Sequence, residues 1–171
     1  PEGTAPAIDP QSPNVIRMRT FSKAHGMAGA RVGYAMGSAE VISGFNKVRN
    51  HFGMSRIGQI GALAALQDKD WLAHVRAQIE AARQRIAQIA VANGLTVLPS
   101  ATNFVAIDCA RDGTFAREVL THLIANGIFI RMPFTAQQDR CIRVSCGTPA
   151  QLDAFEAAFP AALAAAHEKL G

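Results

Sequence analysis

Apolar positions along the chain follow two rhythms, and the change from one to the other divides it. Short runs at Val15–Met18 and Arg31–Met36 read as strands, with a turn-bearing loop over Arg19–Gly29 between them. Ser38 then offers a cap for a helix through Val41, Ile42, Phe45 and Val48, ending near Asn50. After a break at His51–Ser55, the spacing of Ile57, Ile60, Leu63, Ala64 and Leu66 predicts a second helical face. Asp70 reads as the N-cap of a long helix through Trp71, Val75, Ile79, Ile86 and Ile89, closed by Asn93-Gly94. Arg76, Arg83 and Arg85 fall on what reads as its solvated side.

Beyond Gly94 the period shortens. Strands are expected at Leu95–Leu98, Phe104–Asp108, Ile128–Arg131 and Cys141–Ser145. Helices are expected at Thr114–Asn126 and from Pro149 onward, the latter with Thr148 as N-cap and proline in its first turn. Pro160 is expected to kink or interrupt that last helix. Pro1–Pro13 reads as an irregular lead-in. The pattern divides the chain into a helix-rich part, residues 1–69, and a linking helix with a smaller α+β part, residues 70–171.

Composition narrows the class. Of the 171 residues 49% are apolar, which suits a globular core rather than disorder. The net charge of +4 comes without a basic run or interleaved aromatics, so nucleic acid is not an expected partner. No stretch is apolar for long enough to span a bilayer. Cys109, Cys141 and Cys146 lack metal-type spacing and read as small core residues in a reducing cytoplasm. The histidines are scattered, so no metal site is expected.

Chemistry concentrates in Arg19–Tyr34. Of the four lysines, only Lys23 occupies a loop rich in glycine and hydroxyls between two apolar strands; Lys47 and Lys69 sit near helix ends and Lys169 at the terminus. A lysine partly desolvated near a cation can act as an amine nucleophile. Thr20, Ser22 and Arg31 are the materials of a phosphate anchor. The alternative is a surface lysine with Arg31 at a strand start. Gly26, Gly29 and Gly33 match neither the dinucleotide nor the P-loop spacing.

Thr20-Phe21-Ser22-Lys23, Gly26-Met27-Ala28-Gly29 and Arg31-Val32-Gly33-Tyr34 resemble the lysine signature of the class I/II aminotransferases. These are pyridoxal-phosphate enzymes, and the nearest branch is that of the histidinol-phosphate and aromatic aminotransferases. Gly127–Arg131 and Cys141–Thr148 are similar to that family's last strands.

The resemblance implies fold type I: the end of a large α/β domain with a mostly parallel sheet, then a small C-terminal α+β domain. It implies pyridoxal 5'-phosphate held by Lys23 as an imine, with Thr20, Ser22 and Arg31 on its phosphate. Arg143 would grip the substrate α-carboxylate, and Arg131 would take the place of an arginine for the substrate phosphate. The loop Met132–Asp139 departs from the usual pattern, as does His25, which reads as a packing or hydrogen-bonding residue, with a catalytic role as the alternative. Only 22 residues precede Lys23, so the family's ring-nitrogen aspartate has no counterpart here, and the chain reads as a C-terminal half. The implied reaction is amino transfer between an amino acid, glutamate first, and a 2-oxo acid or ketone, in a cytoplasmic homodimer. The alternatives are decarboxylation of a phosphorylated amino acid and a non-catalytic module of the same fold.

Overall fold

The structure is a computed structural model that describes residues 7, 9 and 12–171; most of the lead-in expected over Pro1–Pro13 lies outside them. The chain forms two compact units, Pro1–Arg76 and Ala77–Gly171. The boundary falls within a single helix, α3 (Lys69–Ala92).

In the first unit, β1 (Arg17–Thr20) and β2 (Gly33–Met36) pair antiparallel, with Thr20 opposite Gly33. A Cβ on Gly33 would stand 2.7 Å from the Arg19 carbonyl oxygen, so glycine is what allows the strands this close. β1 lies two residues later than the hydrophobic run suggested. Arg31 is not in a strand; it caps a short 3-10 turn at φ 51°, ψ 47°.

Helix α1 (Ala39–Gly44) is capped by Ser38, which accepts the Val41 N–H, and continues as a 3-10 turn over Phe45–Lys47. Helix α2 (Arg56–Gln67) starts at Ser55, which accepts from Gly58. Its buried side is not the expected row of large residues but Gly58, Ala62 and Ala65. Ile57, Ile60 and Leu63 are exposed by 84%, 63% and 59%, so among the described residues of this unit the apolar row stays largely uncovered. Asp68, rather than Asp70, accepts the Trp71 N–H at the start of α3, the spacing of an N-cap.

The second unit has a three-stranded antiparallel sheet in the order β3-β4-β5 (Thr96–Val97, Phe104–Asp108, Cys141–Ser145). Every strand pair among the described residues is antiparallel, so these residues alone do not form the mostly parallel sheet expected of a large domain. β4 and β5 have the expected boundaries. Val105, Ile107, Ile142 and Val144 point to one face and are buried there.

Helices α4 (Gly113–Ala125) and α5 (Pro149–Leu170) cover that face, together with the later turns of α3. Asp112 caps α4. Thr148 and Gln151 form a capping box on α5, each side chain bonding the other's backbone N–H. The helix runs through Pro160 without interruption. Buried Phe155, Phe159, Ala162 and Leu163 hold the turns on both sides, which offsets the one lost N–H.

Arg83 and Arg85 leave the solvated face expected for them. Arg83 pairs with Glu80 and donates to the Thr102 carbonyl at 3.2 Å. Arg85 ties α3 to α5 through Asp153 at 2.5 Å and Glu156 at 2.6 Å.

Candidate active site

Two groups of predicted site residues exist, one in each unit. In the first, Phe21 organises the lysine loop. Its ring is buried against Val32 and Ala62, while its neighbours Thr20 and Ser22 are exposed and half-buried. Phe21 N–H donates to Val32 O, and its own carbonyl accepts from Met27, closing the loop on itself. This brings the residue after Arg31 beside the residue before Ser22.

The Thr20 hydroxyl donates to the Ser22 hydroxyl at 2.9 Å and accepts the Ser22 N–H at 3.0 Å. The two hydroxyls are thus adjacent, in a turn that hydroxyl residues favour. Arg31 donates to the Ala28 carbonyl at 2.7 Å, which fixes its guanidinium at the loop's end with further donors free. Its left-handed backbone costs about 1–2 kcal/mol in an L-residue.

Lys23 is exposed, so these residues do not supply the partial desolvation expected of it. Among the described residues no acid pairs with Lys23 or Arg31. A free amine, two adjacent hydroxyls and an unneutralised guanidinium fit the aldehyde and phosphate ends of pyridoxal phosphate. Two further supports were not legible in the sequence. Trp71 Nε1 donates to the Ala24 carbonyl at 3.3 Å, pinning the loop one residue past the lysine. Gly58 and Gly61 also let the loop approach α2, where added Cβ atoms would come within 3.2 Å of Ala30 O and 2.9 Å of Met27 Cε.

His25 packs its ring 5.1 Å from that of Phe21, the first of the two structural roles expected of it. Its Nδ1 is buried with no hydrogen-bond partner among the described residues. Tyr34 lies in β2 with its ring 5.7 Å from Phe21, a strand residue as expected.

In the second unit, Arg131 and Arg143 are brought directly opposite one another. Arg131 forms an isolated bridge to Arg143 on the free edge of β5. The expected strand over Ile128–Arg131 is reduced to that bridge, although Ile130 and Met132 still alternate inward against outward Phe129 and Arg131. Arg140 is ion-paired with Asp108 at 2.7 Å.

The family model for aminotransferase class I and II matches residues 5–159. The chain belongs to the class I and II aminotransferases. It is 39% identical over 138 residues to a histidinol-phosphate aminotransferase of Bacillus pumilus, covering 81% of this chain and 37% of that one. Histidinol-phosphate aminotransferase 2 of Pseudomonas aeruginosa is 38% identical, with 84% and 38% covered.

Among solved structures, the Sinorhizobium meliloti histidinol-phosphate aminotransferase in complex with pyridoxal-5'-phosphate superposes with TM-score 0.85 at 52% identity. That match covers 89% of this chain and 42% of the other. A putative histidinol-phosphate aminotransferase from Erwinia carotovora gives 0.78 at 28% identity. The fold is therefore that of type I pyridoxal-phosphate enzymes, and the chain spans about two-fifths of the length of its relatives. No helix among its described residues is long and apolar enough to cross a membrane.

Proposed function

We propose that this chain is the C-terminal portion of a pyridoxal-phosphate-dependent aminotransferase. The enzyme would move an amino group from an amino acid, glutamate first, to a 2-oxo acid or ketone of the histidinol-phosphate or aromatic type. On this reading residues 1–69 end the large cofactor domain, and residues 70–171 are the linking helix and small domain. The observation that carries the proposal is the loop Thr20–Arg31, where Lys23, without an acid partner among the described residues, follows directly on the paired hydroxyls of Thr20 and Ser22, and a tethered guanidinium closes the loop.

Pyridoxal phosphate, when bound, supplies the electron sink that makes the substrate Cα–H acidic. Thr20, Ser22 and Arg31 would hold its phosphate through charge-assisted hydrogen bonds. Lys23 would hold it through its aldehyde carbon, and the Lys23 Nζ would carry the proton between substrate Cα and the cofactor's C4′. Arg143 orients the α-carboxylate and Arg131 the distal anionic group. A cytoplasmic homodimer completes the proposal. The free thiols at Cys109, Cys141 and Cys146 support a reducing compartment, and the exposed apolar row of α2 supports burial against further polypeptide.

The test is borohydride reduction of the holoenzyme followed by peptide mass analysis. Cofactor mass is expected on the peptide containing Lys23, and Lys23→Ala is expected to lose both that adduct and the cofactor's visible absorbance. An adduct on another lysine, or an unchanged spectrum in Lys23→Ala, overturns the assignment. Carbon dioxide release without a 2-oxo acid acceptor replaces amino transfer with decarboxylation.

A further inference from the structure

Arg131 and Arg143 exchange both backbone hydrogen bonds, at 3.2 Å and 2.6 Å. A pair that does so has Cα atoms about 5.5 Å apart and side chains on one sheet face. Like charges directly opposite repel, and an acid near them would normally relieve this. Among the described residues none does. Asp108 engages Arg140, Glu118 engages Lys169, and Asp153 and Glu156 engage Arg85.

What the two guanidinia meet instead is aromatic. Arg143 Cζ lies 4.8 Å from the ring centroid of Phe104, and Arg131 Cζ lies 5.7 Å from that of Phe129. Directly across from Arg143 on β4 is Ala106, whose methyl leaves the space that the Phe104 ring reaches from the diagonal position. The backbone of Phe104 is itself fixed, its carbonyl accepting from Ser100 Oγ at 2.5 Å and Thr102 Oγ1 at 3.2 Å.

We propose that Phe104 is a positioning residue, an aromatic shelf that orients Arg143 for substrate while leaving its charge unneutralised. A carboxylate in the same place would also hold the guanidinium. It would, however, cancel the charge and occupy two of the five N–H donors that an incoming carboxylate needs. A ring face attracts the cation through its quadrupole and takes none of those donors. The Arg143 fork is thereby held in one plane and the substrate becomes its counterion, so anionic substrates gain affinity. This deepens the proposed role of Arg143 and rests on it.

The experiment compares Phe104→Leu, Phe104→Tyr and Arg143→Ala in the holoenzyme. Phe104→Leu is expected to raise KM for amino-acid substrates, and to weaken calorimetric binding of the unreactive dicarboxylate succinate, by about five-fold. Its kcat and bound-cofactor absorbance are expected to hold, and Phe104→Tyr to restore KM. A substrate amine lacking the α-carboxylate is expected to bind all variants equally.

Loss of kcat at constant KM, failure of rescue by tyrosine, or equal weakening of the carboxylate-free amine overturns the shelf. If Phe104→Leu does not fold, pentafluorophenylalanine at 104 keeps the shape and reverses the quadrupole; unaltered succinate binding there overturns it as well. Where Arg143→Ala weakens succinate binding and the Phe104 variants do not, only the shelf fails. Where Arg143→Ala has no effect, the carboxylate role of Arg143 fails with it.

Discussion

Cys109 shows how far burial alone sets a side chain's chemistry in this protein. It is 2% exposed, and burial, helped by neighbouring Cys141, pushes its thiol up to about 12. Burial raises Cys141 and Cys146 as well. Thiols held neutral in this way are poor nucleophiles, in keeping with core residues rather than a reactive site. In the unfolded chain a thiol ionises near pH 8.5. Because the folded pKa is raised, the stabilisation is whole below about pH 8.5 and is lost as pH climbs towards the folded value. The urea midpoint is therefore expected to fall between about pH 8 and pH 10.5, and less steeply in Cys109→Ala. Equal pH slopes in the two proteins would contradict this. At the same scale, Lys23 could be picked out from sequence because lysine is scarce and its neighbours carry hydroxyls. The left-handed Arg31 could not, because Ala30-Arg31-Val32 contains neither glycine nor asparagine to announce it.

Among the elements, the β1–β2 hairpin and α2 shape the lysine loop. Gly33 sits where a Cβ would meet the Arg19 carbonyl at 2.7 Å, a backbone atom that cannot swing aside. Gly33→Ala is expected to cost about 1–3 kcal/mol of hairpin pairing. Since Thr20 is the residue paired with Gly33, the cofactor dissociation constant, read from a visible titration of the holoenzyme, is expected to rise. An unchanged constant would show that the loop does not depend on this register. In α2, spacing located the helix but not its buried side. The row Ile57, Ile60, Leu63 suggested one face, whereas the loop packs on Gly58, Gly61 and Ala62, where small size admits the Ala30 carbonyl beside Gly58 and the Met27 side chain beside Gly61. A helix apolar nearly all round is normally covered on every side.

For the whole molecule, the contrast is in core size. The second unit buries a continuous cluster from α3, β4, β5, α4 and α5, while the buried cluster in the first is Phe21, Val32 and Ala62. Opening free energy follows buried apolar contact. Hydrogen exchange on the 171-residue chain is expected to be slowest in β4, β5, α4 and α5, and faster by orders of magnitude across residues 17–67. Equal protection in both units would mean that stability does not follow the buried core.

By itself the sequence determined what is local. Alternation of period two set the ends of β4 and β5, and Ser38 and Thr148 marked their helix starts through their own backbone contacts. The lysine motif named the family. Tertiary structure decided which distant groups meet. Arg85 looked solvated because the acids that take it up lie 68 and 71 residues away. Pro160 looked like a break because the buried rings that hold α5 together around it belong to a core assembled from other elements. Arg131 faces Arg143, and Phe104 lies beneath the latter, because sheet register places them there; register arises between segments, and no stretch of either segment carries it alone.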